Sequence, residues 1–196
     1  ASHLYEEAHS GALAKFGVAY GICNPLYGVQ MVFSEDMQDA FCRALNDWLA
    51  REWLDKDARL RGSIVIPTQS VEKSVAEIER CAKDKRFVQV LMLVMGDMPL
   101  GKRAYWPIYA AAERLGLPIG VHAGSAYHNP PTSVGWGSYH IEDYVAQATA
   151  FQTQLTSLIV EGVFARHPNL KMVMLESGFT WLPAYLWRLH KFWRGV

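Results

Sequence analysis

His122 closes the apolar run Ile119-Gly-Val-His122, and the small residues Ala123 and Gly124 that follow leave room beside its ring. An imidazole at the end of a strand can ligate a metal or move a proton near neutral pH. The plainer reading is a core histidine hydrogen-bonded to a backbone carbonyl. Glu176 closes a second apolar run, residues 170–175. A carboxylate in such a place must be paired, ligated or reached by water. It could form a salt bridge, bind a metal, or accept a proton from metal-bound water. Asp97, within Gly96-Asp-Met-Pro99, has the composition of a turn residue.

The stretch 125–139 carries Tyr127, His128, Pro130, Pro131, Gly135, Trp136, Gly137 and Tyr139. Loops of this length in compact domains more often cover a site than merely connect elements. Tyr127, Trp136 and Trp181 are candidates to touch a small substrate, an aromatic one among the options, whereas His128 and His140 read as solvated bystanders. His3 and His9 are too far apart in sequence to grip a metal from one strand. His167, before Pro168, and His190, among Arg188, Lys191 and Arg194, are expected at the surface. Trp181, Trp187 and Trp193 alternate with that basic set. The pattern suits a helix lying on a membrane surface or, more commonly, one packing a face onto a domain.

The elements that must position these residues alternate. Short strands are expected over residues 16–22, 60–66, 87–94, 119–122 and 170–175. Helices are expected over 34–49, with Ser34 as cap and Met37, Phe41, Leu45, Trp48 and Leu49 as a buried stripe, and over 71–81 and 107–115. The apolar-periodic stretch 141–166 is one bent helix or two, and 181–193 is a final amphipathic helix. Residues 1–15 have weak helical character. No hairpin signal separates the strands, so the sheet is parallel with helical cover. An open doubly wound sheet and part of an eight-stranded barrel both satisfy this pattern. Neither a dinucleotide-type glycine fingerprint nor a phosphate-binding loop occurs.

The chain has 196 residues, 51% hydrophobic and 19% charged, enough for one domain with a sizeable core. Nineteen basic residues match nineteen acidic ones, giving a formal net charge of +0. That balance argues against nucleic acid or an anionic membrane as partner. It also permits self-association, so a homo-oligomer stays open. Cys23, Cys42 and Cys81 form no close pair and are expected as reduced, mostly buried thiols. No apolar run approaches the roughly 20 residues of a membrane span, and no leader is visible, so a cytoplasmic location is expected.

The segment Trp106-Pro-Ile-Tyr-Ala-Ala-Ala-Glu-Arg-Leu-Gly-Leu-Pro-Ile-Gly-Val-His-Ala-Gly124 resembles the amidohydrolase superfamily, in the branch that includes metal-dependent decarboxylases. Residues 157–183, with Arg-His-Pro-Asn and Leu-Glu-Ser-Gly-Phe-Thr-Trp-Leu-Pro, and the closing Leu186-Trp-Arg-Leu189 are similar to the same branch. The resemblance implies a (β/α)8 TIM barrel binding a divalent metal, usually zinc, at the strand carboxyl ends. It puts His122 at the end of barrel strand five, making the five strands here strands two to six. It also implies a His-x-His or Glu-x-His pair on strand one and an aspartate ending strand eight, neither of which has a counterpart in this sequence. A gene extending beyond the segment at both ends is therefore expected. Many relatives carry a histidine where this sequence has Glu176.

The resemblance implies first a hydrolase, in which metal-activated water attacks a small substrate with His122 as ligand and Glu176 as proton shuttle. A non-oxidative decarboxylase is the alternative, and an inactive fragment without a complete metal site is the third. His122 and Glu176 are expected to be spatial neighbours, since they end consecutive strands about 4.8 Å apart.

Overall fold

Strands whose side chains are apolar on both faces need helical cover, and a parallel pair needs a long crossover, so strand and helix must alternate. The computed structural model describes residues 2–124 and 129–195, with the side chains of residues 2–4, 9 and 10 outside that set. Five parallel strands form one sheet in chain order: β1 Gly21–Cys23, β2 Leu60–Val65, β3 Phe87–Leu93, β4 Ile119–His122 and β5 Met172–Leu175. Among the described residues seven α-helices accompany them: α1 Ser2–Ala8, α2 Glu35–Leu49, α3 Val71–Cys81, α4 Trp106–Leu115, α5 His140–Val160, α6 Val163–Arg166 and α7 Leu182–Gly195.

The sequential order decides between the two architectures. A doubly wound sheet reverses direction at a switch point, whereas here every crossover steps the same way. Right-handed crossovers that all step one way put their helices on one face, and the sheet curls about the other. The fold is a sector of a TIM barrel. Its middle strands are the most enclosed: Ile64, Val90, Leu91, Ile119 and Val121 have no accessible surface. The outer strands are not, with Ile22 51% and Val173 38% exposed.

The first strand is shorter than expected and later in the chain. Residues 16–20 are outside it, and Phe16 and Tyr20 are exposed. That brevity explains a second difference. β1 pairs only with Leu60, Arg61 and Gly62, so the far end of β2 lacks a strand neighbour on that side. Asn46 of α2 fills the gap, donating to the Val65 carbonyl at 2.8 Å and accepting from the Val65 N–H at 3.0 Å. The buried face of α2 is accordingly Gln38, Cys42, Asn46 and Leu49, while Met37 and Phe41, expected inside, are 51% and 44% exposed. Ser34 does cap the helix, its hydroxyl accepting from Met37 N–H at 3.4 Å.

The apolar stretch before β5 is two helices, broken at Gly162, whose φ of 79° is left-handed. α5 holds the loop after β3 through side-chain amides. Gln154 accepts from Leu100 N–H at 2.7 Å and donates to the Val94 carbonyl at 2.8 Å. Ser157 accepts from Gly101 N–H at 2.9 Å. A Cβ on Gly101 would sit 2.1 Å from the Ser157 carbonyl oxygen, which belongs to helix backbone and cannot swing away. Gly101→Ala should therefore destabilise the fold by about 3 kcal/mol, the upper end for overpacking. Urea unfolding monitored by circular dichroism checks this, and a midpoint unchanged from wild type would contradict the close approach.

His167 is buried, not at the surface. Its Nδ1 lies 3.1 Å from Glu113 Oε2, and its ring meets Trp106 and Tyr109 edge-on. Burial of a histidine before a proline is explained by this carboxylate, which also accepts from Asn169 N–H at 2.8 Å. α7 contains no buried residue among those described, and Trp187 and Trp193 are 79% and 83% exposed, so it does not bury the packed face expected of it.

Candidate functional site

A parallel sheet presents its strand carboxyl ends together, and two titratable side chains meet there. His122 ends β4 paired with Leu175 of β5, so Glu176 follows directly on the neighbouring strand. Their tips face each other, with His122 Nε2 3.8 Å from Glu176 Oε1. The imidazole side chain is 7% exposed and the carboxylate 67%, which places the pair at the boundary between the barrel interior and solvent.

Local bonding fixes the state of the ring. His122 Nδ1 lies 2.6 Å from the Ala123 carbonyl oxygen. A carbonyl can only accept, so Nδ1 carries the proton and, in the neutral ring, Nε2 holds a lone pair. That is the tautomer a metal ligand or a general base needs, held by a backbone carbonyl as such ligands usually are. The turn beyond is tied by the Gln147 side-chain oxygen, which accepts from Gly124 N–H at 3.2 Å. A cavity of about 230 Å³ lies beside it, between Pro25, Leu26 and residues 28–31 on one side and Leu93, Ala123 and Gly124 on the other.

Glu176 adopts φ 62°, a left-handed conformation rare for a residue with a side chain. Backbone in that region costs about 1–3 kcal/mol and persists only where neighbours impose it. Here the Trp181 indole donates to the Ser177 carbonyl at 2.8 Å and the Ser177 hydroxyl donates to the Gly178 carbonyl at 2.7 Å. Trp181 thus braces the turn that presents Glu176, and its ring packs edge-on against Tyr185 at 5.9 Å. Trp136 lies on the loop, 59% exposed, and Tyr127 and His128 fall outside the described residues. His140 opens α5 and His190 lies on α7, both exposed.

Ser63 and Gln89, which sequence reasoning passed over, join Asn24, the residue just past β1, in a polar layer on the same sheet. The Asn24 side-chain oxygen accepts from Ser63 Oγ at 2.7 Å and from Gln89 Nε2 at 2.9 Å, and Gln89 also donates to Ser63 Oγ at 2.7 Å. Ser63 and Gln89 are buried, and Gln89 packs over Gly120, where a Cβ would meet its amide at 3.1 Å. The available signal was a serine and a glutamine at interior positions of mostly apolar strands.

The thiols do not compete for the chemistry. All three are free, and burial pushes Cys23 up, Cys42 up to about 12 and Cys81 higher still. None is a thiolate at neutral pH. Among the described residues no three His, Cys, Asp or Glu side chains converge as a metal site. His122 has the tautomer and exposure of one ligand, but one imidazole and one carboxylate do not by themselves hold an ion. No described helix is long and apolar enough to cross a membrane.

A barrel sector of alternating strand and helix, with a histidine and a carboxylate at adjacent strand ends, defines the class of (β/α)8 proteins whose chemistry sits on that rim. The sequence model of the Amidohydrolase family matches residues 4–195, and the chain belongs to that family. It is 28% identical to the gamma-resorcylate decarboxylase of Rhodococcus jostii strain RHA1, over 82% of this chain and 52% of the relative. The chain spans about half the length of the curated relatives it matches. Its fold superposes on 2,6-dihydroxybenzoate decarboxylase from Rhizobium with a TM-score of 0.77 at 22% identity, covering 93% of this chain and 59% of that one. The dihydroxybenzoic acid decarboxylase of Polaromonas sp. JS666, solved with bound manganese and the inhibitor 2-nitroresorcinol, gives 0.76 at 21%, covering 93% and 57%.

Proposed function

We propose that this chain is part of a metal-dependent decarboxylase of small aromatic acids, with His122 as a metal ligand and Glu176 as the acid that protonates carbon. The observation that carries the reading is the His122 ring itself. Its Nδ1–H is committed to a carbonyl, and its Nε2 lone pair faces Glu176 across 3.8 Å. The decarboxylase relatives support this order of preference over hydrolysis, which is the broader chemistry of the family name. Manganese accompanies the Polaromonas relative, so the ion is proposed as divalent, with no preference for zinc.

A divalent ion at this rim supplies positive charge to orient a substrate carboxylate. The chain's own residues supply the rest. Glu176, accessible to solvent yet anchored by the braced turn, gives its proton to the ring carbon as the carbon–carboxylate bond breaks and carbon dioxide leaves. It then regains a proton from water. Tyr127 and Trp136 are proposed to contact the aromatic ring, and Trp181 acts through the Glu176 turn. The remaining ligands are proposed to lie outside the described residues.

The hydrolase reading keeps one observation in its favour, since a carboxylate serves as well as a base toward water. The two separate by product. The natural protein containing this chain, incubated with dihydroxybenzoates and manganese, should release carbon dioxide and the matching phenol in equal amounts. Release of acid from amide or ester substrates without carbon dioxide would favour hydrolysis. Loss of all metal on dialysis, with neither product formed, would favour an inactive segment.

A further inference from the structure

The sheet holds the backbone of His122, but not the peptide that fixes its ring. The His122 carbonyl accepts from Val94 N–H at 2.9 Å, and Ala123 N–H donates to the Leu175 carbonyl at 3.3 Å. The peptide group joining Ala123 to Gly124 is the first beyond the strand ladder, so its polar atoms need other partners. Its carbonyl accepts from His122 Nδ1–H at 2.6 Å, and its N–H donates to Gln147 Oε1 at 3.2 Å. The peptide is trans, so these two groups lie in one plane and point opposite ways. Gripping the N–H from α5 therefore sets the direction of the carbonyl. The carbonyl in turn sets which ring nitrogen carries the proton.

The Gln147 amide is itself oriented. It is 7% exposed, well inside α5, and its Nε2 donates to Asp143 Oδ1, one turn earlier, at 3.4 Å. A carboxylate oxygen only accepts and a peptide N–H only donates, so the two partners together allow one orientation of the amide. Both ends of the side chain are used, as burial of an amide requires. Gln154 lies two turns further along α5 and holds the loop after β3 instead, through Leu100 and Val94. The two glutamines tie down neighbouring strand ends, and only Gln147 touches the peptide beside the His122 ring.

We propose that Gln147 is a positioning residue for His122, which by holding the Ala123–Gly124 peptide keeps the ring proton on Nδ1 and the Nε2 lone pair open toward the rim. The tautomer stands on these contacts alone. Its consequence for a metal rests on the decarboxylase reading, in which Nε2 is a ligand. Outer contacts of this kind change metal affinity about 10- to 100-fold.

The test uses the natural protein containing this chain, stripped of metal by chelation and labelled with nitrogen-15 at histidine. Spectra are taken on the alkaline side of the histidine range, where the rings are neutral. Nitrogen shifts tell a protonated ring nitrogen from a bare one, and the signals lost in His122→Asn identify the ring. Wild type should show Nδ1–H predominating at His122. Gln147→Met keeps length and packing but removes the acceptor, and should lower the ratio of Nδ1–H to Nε2–H about fivefold to tenfold, the worth of one hydrogen bond. Gln154→Met should leave that ratio unchanged. Asp143→Asn combined with Gln147→Glu exchanges donor and acceptor between the two side chains while keeping an oxygen on Gly124 N–H, and should hold the wild-type ratio. Should Gln147→Met fail to fold, Asp143→Ala, at a half-buried position, frees the amide to turn and should lower the ratio about twofold to threefold. When manganese is returned, Gln147→Met should retain it about tenfold more weakly than wild type. An unchanged tautomer ratio in Gln147→Met, or in Asp143→Ala where only that variant folds, would overturn the proposal. An equal fall in Gln154→Met would do the same, since it would mean a general loosening of the rim. Manganese not held by the wild type would refute the decarboxylase reading and leave the tautomer ratio to decide the role of Gln147.

Discussion

Glu176→Gln, in the natural protein containing this chain, should lower turnover about 10²- to 10⁴-fold while bound metal stays at its original stoichiometry. The amide keeps the size of the carboxylate and its place on the braced turn, but it has no acidic proton to give. His122→Ala should behave differently, removing metal and activity together, because it deletes a ligand and not a proton donor. The contrast makes the pair informative. Metal content by plasma emission spectroscopy and carbon dioxide release by trapping are the two readouts. Full turnover in the Gln variant would remove Glu176 from the chemistry and leave its 3.8 Å approach to His122 as a structural contact.

Glu77→Ala should destabilise the fold by about 3 kcal/mol, the low end for a broken buried ion pair, since Arg80 keeps some access to water. The Glu77 side chain is 0% exposed and sits among four donors. Arg80 reaches it at 2.6 and 2.7 Å, Asn46 at 2.7 Å and the Cys81 thiol at 3.3 Å, with Arg43 at 3.5 Å. Burial alone would raise the carboxyl, but the bonds from Arg80, Asn46 and Cys81 outweigh it and hold the group below its ordinary value of 4.5. Removing it would also release Asn46, which satisfies the open end of β2.

The sign of the pH dependence follows. A carboxyl lowered in the folded state contributes stability that is complete above its unfolded value, 4.5 here, and is lost as pH falls through the folded value. Wild-type stability should therefore fall steeply below about pH 4, and Glu77→Gln should show a shallower fall over the same window. Urea midpoints measured from pH 7 to pH 3 check this. Parallel acid limbs in the two proteins would show that Glu77 does not set the slope.

Strand–helix alternation, the parallel sheet and most element limits were legible in the sequence, because they depend on local periodicity. The third helix and the fourth strand fall on the residues expected, and Ser34 caps where its spacing says it should. That His122 and Glu176 would meet at adjacent strand ends was legible for the same reason, as each is a polar residue ending an apolar run. What the amino-acid pattern left open was strand order, since an open sheet and a barrel share one alternation. Order is settled by which strands pair, a long-range matter, and the sequential pairing made it a barrel sector. The polar faces were likewise illegible. Gln38 and Asn46 occupy the inside of α2, where Met37 and Phe41 were expected, because each meets backbone left unpaired by other segments: Asn46 bonds Val65 of β2 beyond the short β1, and Gln38 bonds the Gln30 carbonyl and the Gln69 N–H. His167 was misplaced because its partner Glu113 lies on another helix. The Asn24–Ser63–Gln89 layer comes from three separate strand units. Local hydrophobicity determines which segments become strands and helices, but the partner of each buried polar atom is set only when distant segments meet.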